Sequence, residues 1–311
     1  MKTIFVAIGI ALAASTAFAA DLKIIVPYSA GGPTDSVVRV LAPALQAELG
    51  RTVIVDNRPG ASGMIGMKAA ATSAADGNTV VVGTQGQVLT ALIQKSVITY
   101  DTLKDFKTVA LIGETPSVLV VSKKLDVKTI DDLGKIAKEK TLHYASSGVG
   151  NSPHLAGEMM NSELGVKMVH VPYAGAAPAI VDLVAGNVDL MVADIAAVIG
   201  PIKAGDIKPV AILAPERSPS LPDIQTASEQ GHAGLYTGGY YYVTAPNGIS
   251  DADRGKLETA IIKVAKEPAI AEKLKTSGVG APGTGAAMDK ILADEFAKWG
   301  PIVQKLDIKI K

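Results

Sequence analysis

The sequence predicts an exported α/β protein of two domains, with parallel sheets buried under helices. Three observations carry this. Short apolar runs alternate with amphipathic stretches at short connection lengths, the pattern of a doubly wound sheet. Hydrophobic residues make up 48% of the chain but aromatics only 4%, so the cores are filled by Val, Ile, Leu and Ala, as suits parallel strands. After an N-terminal export signal about 290 residues remain, enough for two domains.

The signal comes first. Lys2 begins it, Ile4 to Ala14 form its apolar middle, and Ala17-Phe18-Ala19 is a small-x-small cleavage site. Cleavage is expected after Ala19 or Ala20, and residues 1–20 are set aside from the fold. The apolar run, broken by Ser15 and Thr16, is short for a membrane span.

Leu22–Val26, bounded by Pro27, reads as a buried strand. Val37, Val38, Leu41, Leu45 and Leu49 then recur at helical spacing up to Gly50, and Pro43 predicts a kink. Strands follow at 52–55 and 79–83, around a helix at 64–73. In the second half, strands are expected at 118–122, 142–145, 168–171, 189–193 and 209–213. Helices at 131–140, 155–164 and 177–185 intervene. After a strand at 240–244, helices at 253–266, 269–277 and 288–306 close the chain. Residues 25–41 (IVPYSAGGPTDSVVRVL) and 170–184 (HVPYAGAAPAIVDLV) echo each other as strand, V-P-Y, small residues and helix. A device used once in each half and a chance likeness of two turns both fit that echo.

Composition removes several functions. Formal net charge is +0, and losing Lys2 with the signal makes it −1, so there is no basic face for nucleic acid. No cysteine is present, which excludes disulfides, thiolate nucleophiles and Cys-based zinc sites. His143, His154, His170 and His232 are far apart in sequence and include no H-x-x-x-H pair. GVG (148–150) is a fragment of a dinucleotide fingerprint, and no G-x-x-x-x-G-K-[ST] occurs. Ser146, Ser147 and Ser152 lie near His154 without a G-x-S-x-G elbow.

Five small-residue loops follow strands: YSAGGPTD (28–35), GTQGQ (83–87), SSGVGNS (146–152), YAGAA (173–177) and ADIAA (193–197). In open α/β sheets ligands bind outside the carboxyl ends of strands. Such loops expose N–H groups and hydroxyls and leave room for a guest. One carboxylate at a helix N-terminus gains about 0.3–1 kcal/mol, whereas micromolar binding needs about 8 kcal/mol. A single loop is too weak, so both halves must close on the ligand. Tyr28 and Tyr173 stand at the mouths of two loops, where they either pack or flank a ligand, and Gln85 and Ala174 lie within two others. Asp35 is read first as a helix cap; for Asp194, capping and a place in the cleft are equally open. The cluster YTGGYYY (236–242) fits a crossing strand with alternating faces.

The blocks PYSAGGPTD (27–35), VDNRPGASGMIG (55–66), DGNT (76–79), Asp105-Phe106, YASSGVGNSPHLAGE (144–158), VPYAG (171–175) and IKAGDIKPVAI (202–212) resemble the periplasmic Bug receptors. These are the substrate-binding proteins of tripartite tricarboxylate transporters. The likeness runs over essentially the whole mature chain. It implies an α/β type II periplasmic-binding-protein fold: two lobes with mixed, mostly parallel sheets and two crossing strands. One lobe is 21–119 with 243–311 and the other 120–242. It further implies a monomeric receptor, without cofactor, metal or catalytic role. Its lobes close on a small carboxylate, a dicarboxylate among the options, for delivery to permease subunits; the tyrosine density of 236–242 alone adds an aromatic carboxylate to those options. Ala30, Gly31, Gly32, Thr84, Ser147, Gly150, Asn151, Ser152 and Asp194 match the family's ligand-holding positions. The family's tryptophan before the last crossing strand is replaced around Gly238-Gly239-Tyr240, and its G-T-P reads Gly248-Ile249-Ser250. An exported cleft hydrolase and a receptor feeding a signalling system are the alternative readings.

Overall fold

The computed structural model describes residues 20–173 and 175–306. The export signal before Ala20, and Ala174, lie outside the described residues.

The first half alternates as its apolar periodicity dictates. β1 (Leu22–Val26) leads to α1 (Pro33–Leu49), then β2 (Val53–Asn57), α2 (Met64–Ala71), β3 (Thr79–Thr84) and α3 (Gln85–Ile93). α1 runs uninterrupted through Pro43, which is exposed. The carbonyl deprived of its partner therefore faces water, and the proline does not end the helix. β4 (Phe106–Ser122) is much longer than the expected strand at 118–122.

The chain continues through α4 (Ile130–Glu139), β5 (His143–Ser146), α5 (Ser152–Leu164), β6 (Val169–Pro172) and α6 (Ala176–Ala185). β7 (Leu190–Asp194), α7 (Ile195–Ala204) and β8 (Ile207–Ile212) follow, then β9 (Gly238–Pro246). α8 (Asp251–Ala265), α9 (Pro268–Thr276), the two-residue β10 (Gly283–Thr284) and α10 (Gly285–Leu306) finish it.

The strands form one curled mixed sheet in the order β2-β1-β3-β9-β4-β7-β5-β6, with β8 and β10 also on β4. β1 pairs in parallel with β2 and β3, and β5 in parallel with β6 and β7. β4 joins the halves. Residues 106–116 pair with β9, and residues 117–122 pair with β7 and β8. β9 returns antiparallel between β3 and β4.

Each half has its own core. Leu22, Ile24, Val38, Leu41, Val80 and Ile261 are buried together in the first, and Leu119, Ile130, Leu133, Tyr144, Met160 and Leu190 in the second. A further cluster bridges them: Leu89, Leu155, Tyr240, Tyr242, Leu292 and Trp299 pack as one group. α10 thus lies against both lobes.

Candidate ligand-binding cleft

The five loops expected to matter each join the carboxyl end of a strand to a helix. They connect β1 to α1, β3 to α3, β5 to α5, β6 to α6 and β7 to α7. Each helix therefore begins at that edge, with its unpaired N–H groups and the positive end of its dipole.

The first lobe supplies a hydroxyl-and-amide cluster. The Tyr28 hydroxyl lies 2.9 Å from Thr84 Oγ1 and accepts from Gln87 Nε2 at 3.0 Å. Thr84 is the N-cap of α3 and accepts from the Gly86 N–H; Gln87 Oε1 accepts from the Thr84 N–H. This T-x-x-Q capping box is a sequence signal for a helix beginning inside GTQGQ, expected above as a loop. Asp35, at the third position of α1, accepts the Gly31 N–H at 2.8 Å and the Arg39 and Asn57 side chains. The bond from Arg39, more than any other contact, holds its carboxyl down to about 2. Asp35 ties the loop to the helix through the Gly31 N–H rather than capping α1, which has no side-chain cap at Gly32. Ala30 and Gly31 are exposed at the rim, and Gly32 is half-buried.

The second lobe supplies the 146–152 loop. Asn151 caps α5 by accepting the His154 N–H, and its amide donates to Ser147 Oγ at 2.9 Å. Gly150 adopts φ +77°, a conformation favouring glycine, and turns its N–H inward to His154 Nδ1 at 2.9 Å. His154 stacks on His170 with centroids 3.8 Å apart, and His170 on Tyr144 at 5.0 Å. His170 Nε2 meets Ser146 Oγ at 2.6 Å. Ser146 is fully buried, so this Ser–His contact offers no nucleophile to a ligand. Tyr173 turns its hydroxyl onto Asp182 at 2.6 Å; burial, and then this acceptor, push the phenol up to about 12.

The two lobes meet over these groups. A cavity of about 290 Å³ is lined by Tyr28, Ser62, Gly86, Leu89, Thr90, Ile93 and Gln94 on one side and by residues 147–151 on the other. Apart from the Tyr28 phenol, no ionisable side chain lines it among the described residues. An anion there would meet backbone N–H groups, hydroxyls and amides. A larger groove, about 420 Å³, lies along β4 beside residues 214–220 and 278–281 and contains none of the candidate residues. The smaller cavity is therefore the better match to the loops.

Asp194 ends β7, half-buried, without a hydrogen-bond partner among the described residues, and burial pushes its carboxyl up to about 6. It adds no side-chain cap to α7. Gln85 and Ser152 are engaged with each other. The Ser152 hydroxyl donates to Gln85 Oε1, and Gln85 Nε2 donates to Glu295 Oε2 at 2.5 Å. Trp299 Nε1 donates to the same oxygen at 2.7 Å. Glu295, 210 positions from Gln85, carried no local signal. Tyr240, Tyr241 and Tyr242 are core residues, whereas Tyr236 is half-buried and lines the larger groove.

The family model described as tripartite tricarboxylate transporter family receptor, TctC, matches residues 37–308. Protein BugT of Bordetella pertussis is 33% identical over 306 residues, covering 96% of this chain and 93% of its own. Among solved structures, MatC (Rpa3494) from Rhodopseudomonas palustris with bound malate has a TM-score of 0.79 at 29% identity, over 91% of this chain and 98% of that one. R. palustris Rpa4515 with adipate has a TM-score of 0.82 at 31% identity, over 93% of this chain and 97% of that one. The fold is thus the two-lobed periplasmic-binding-protein fold, and the chain belongs to the tripartite tricarboxylate transporter receptor family.

Proposed function

We propose that the mature protein is a periplasmic receptor that closes its lobes on a small organic carboxylate and passes it to the permease subunits of a tripartite transporter. The observation that carries this is the 290 Å³ cavity between the lobes, lined by neutral donors from both. Malate and adipate in structurally similar receptors support the ligand class. The proposed contacts are Tyr28, Ala30, Gly31, Gly32, Thr84, Ser147, Asn151, Tyr173, Ala174 and Asp194, with Gln85, Gly150 and Ser152 shaping the closed cleft. Lobes of 21–119 with 243–311 and of 120–242, a monomeric state and signal cleavage near Ala19 or Ala20 belong to the same reading. The role is binding, with no catalytic residue assigned.

The test is a thermal-shift screen of the purified mature protein against aliphatic and aromatic mono- and dicarboxylates. A ligand at 100 times its Kd stabilises by about 2.7 kcal/mol. In a protein of this size each kcal/mol raises Tm by about 2–4 °C. A panel in which no carboxylate raises Tm would overturn the proposal.

A further inference from the structure

The loop from Ser146 to Ser152 forms the second-lobe wall of the cavity, yet two of its fixings point away from the ligand. Gly150 gives its N–H to His154 Nδ1 at 2.9 Å, and Ser146 Oγ meets His170 Nε2 at 2.6 Å. The Ser146 hydroxyl also lies 2.8 Å from the Gly148 carbonyl, to which it donates. Its only proton is then used, and the His170 contact is an Nε2–H donated to the serine. His154 differs: an N–H donor facing Nδ1 requires that nitrogen to be an unprotonated acceptor. The imidazole stands under the loop as an acceptor that acid would convert to a donor.

We propose that His154 is a positioning residue of the cleft: its Nδ1 fixes Gly150 and with it the 146–152 wall, and protonating that nitrogen unlocks the loop and weakens ligand binding. This deepens the carboxylate-receptor reading and, for its ligand arm, rests on it.

The surroundings are consistent. The groups facing His154 are His170 from β6, Tyr144 from β5 and Glu158 one turn along α5. The Tyr144 hydroxyl donates to Glu158 at 2.5 Å. Burial lowers the His154 imidazole and Glu158 opposes that shift, while burial and then the neighbouring His154 lower His170 to about 4. Both rings are neutral at pH 7, and a first proton on the stack disfavours a second 3.8 Å away.

The experiment is hydrogen exchange of the ligand-free mature protein from pH 5 to 7.5, expressed as protection factors for the 146–152 backbone. Wild type, His154→Asn and His154→Ala are compared. The asparagine amide oxygen replaces the Nδ1 acceptor and does not titrate. Wild type is expected to lose protection at Gly150 on acidification by about tenfold. His154→Asn keeps it throughout, and His154→Ala lacks it at every pH. A second arm titrates malate and adipate into the same proteins. Acid weakens wild-type binding roughly five- to tenfold relative to His154→Asn, the worth of about one net hydrogen bond; the titrations of the ligands and of Asp194 are common to both proteins and cancel in that ratio. Gly150 protection that survives His154→Ala, or matching pH profiles in wild type and His154→Asn, overturns the proposal. His154-dependent exchange with no binding of either acid by any variant supports the positioning role and counts against the carboxylate reading alone.

Discussion

Single side chains on β6 and β7 titrate in opposing directions. Asp194 holds its proton up to about pH 6 in the folded protein, against an ordinary value near 3.8. The native state thus binds a proton that the unfolded chain releases. Stability from this group is present below about pH 4 and lost as pH rises through 6. Asp194→Asn should therefore raise Tm of the ligand-free protein at pH 7.5 by a few degrees, about 2–4 °C per kcal/mol, and give no gain at pH 4. Thermal scans at the two pH values check this. His170 has the reverse sign. Its folded value near 4 lies below 6.5, so its contribution is full above pH 6.5 and lost as pH falls towards 4. Residue types in the loops were legible because glycine, serine and asparagine after a strand are unusual in such number. The partners of Gln85 and His154 were not, because Glu295 and His170 reach them only through the finished fold.

Elements were legible where one face is buried and the period is clean. β1, α1, β2 and β3 follow their apolar spacing closely. α3 and α7 carry weak sequence signals, α3 because its Gly86 and polar first turn resemble turn chemistry, α7 because Gly200 and Pro201 interrupt it. β4 was truncated because Gly113, Glu114 and Pro116 break its apolar run, although their backbones stay in the ladder with β9. Close contacts between elements set further limits. A methyl group added at Gly83 in β3 would stand 2.1 Å from the Tyr242 ring of β9. Gly83→Ala should cost about 1–3 kcal/mol by overpacking, read as a lower urea midpoint with an unchanged m-value.

At the scale of the whole molecule, polar contacts bridge the two lobes beside the cavity. Ser152 of the second lobe, Gln85 of the first and Glu295 of α10 form one chain of hydrogen bonds, anchored by Trp299. Gln85→Ala should leave the lobes less firmly closed. The expected result is ligand dissociation faster by about five- to thirtyfold, one to two net hydrogen bonds' worth, with association nearly unchanged. Stopped-flow release with a bound carboxylate checks it, and an unchanged off-rate argues that the chain of bonds does not hold the closed state.

The route of β9 bears on the order in which the chain can mature. Val81 pairs with Thr244 and Phe106 with Pro246, about 160 and 140 residues later, while β5, β6 and β7 find one another within about 50 residues. The first lobe stays an unsealed sheet until synthesis has passed residue 246. A polypeptide that completes its first half last keeps that half open while the second is already paired.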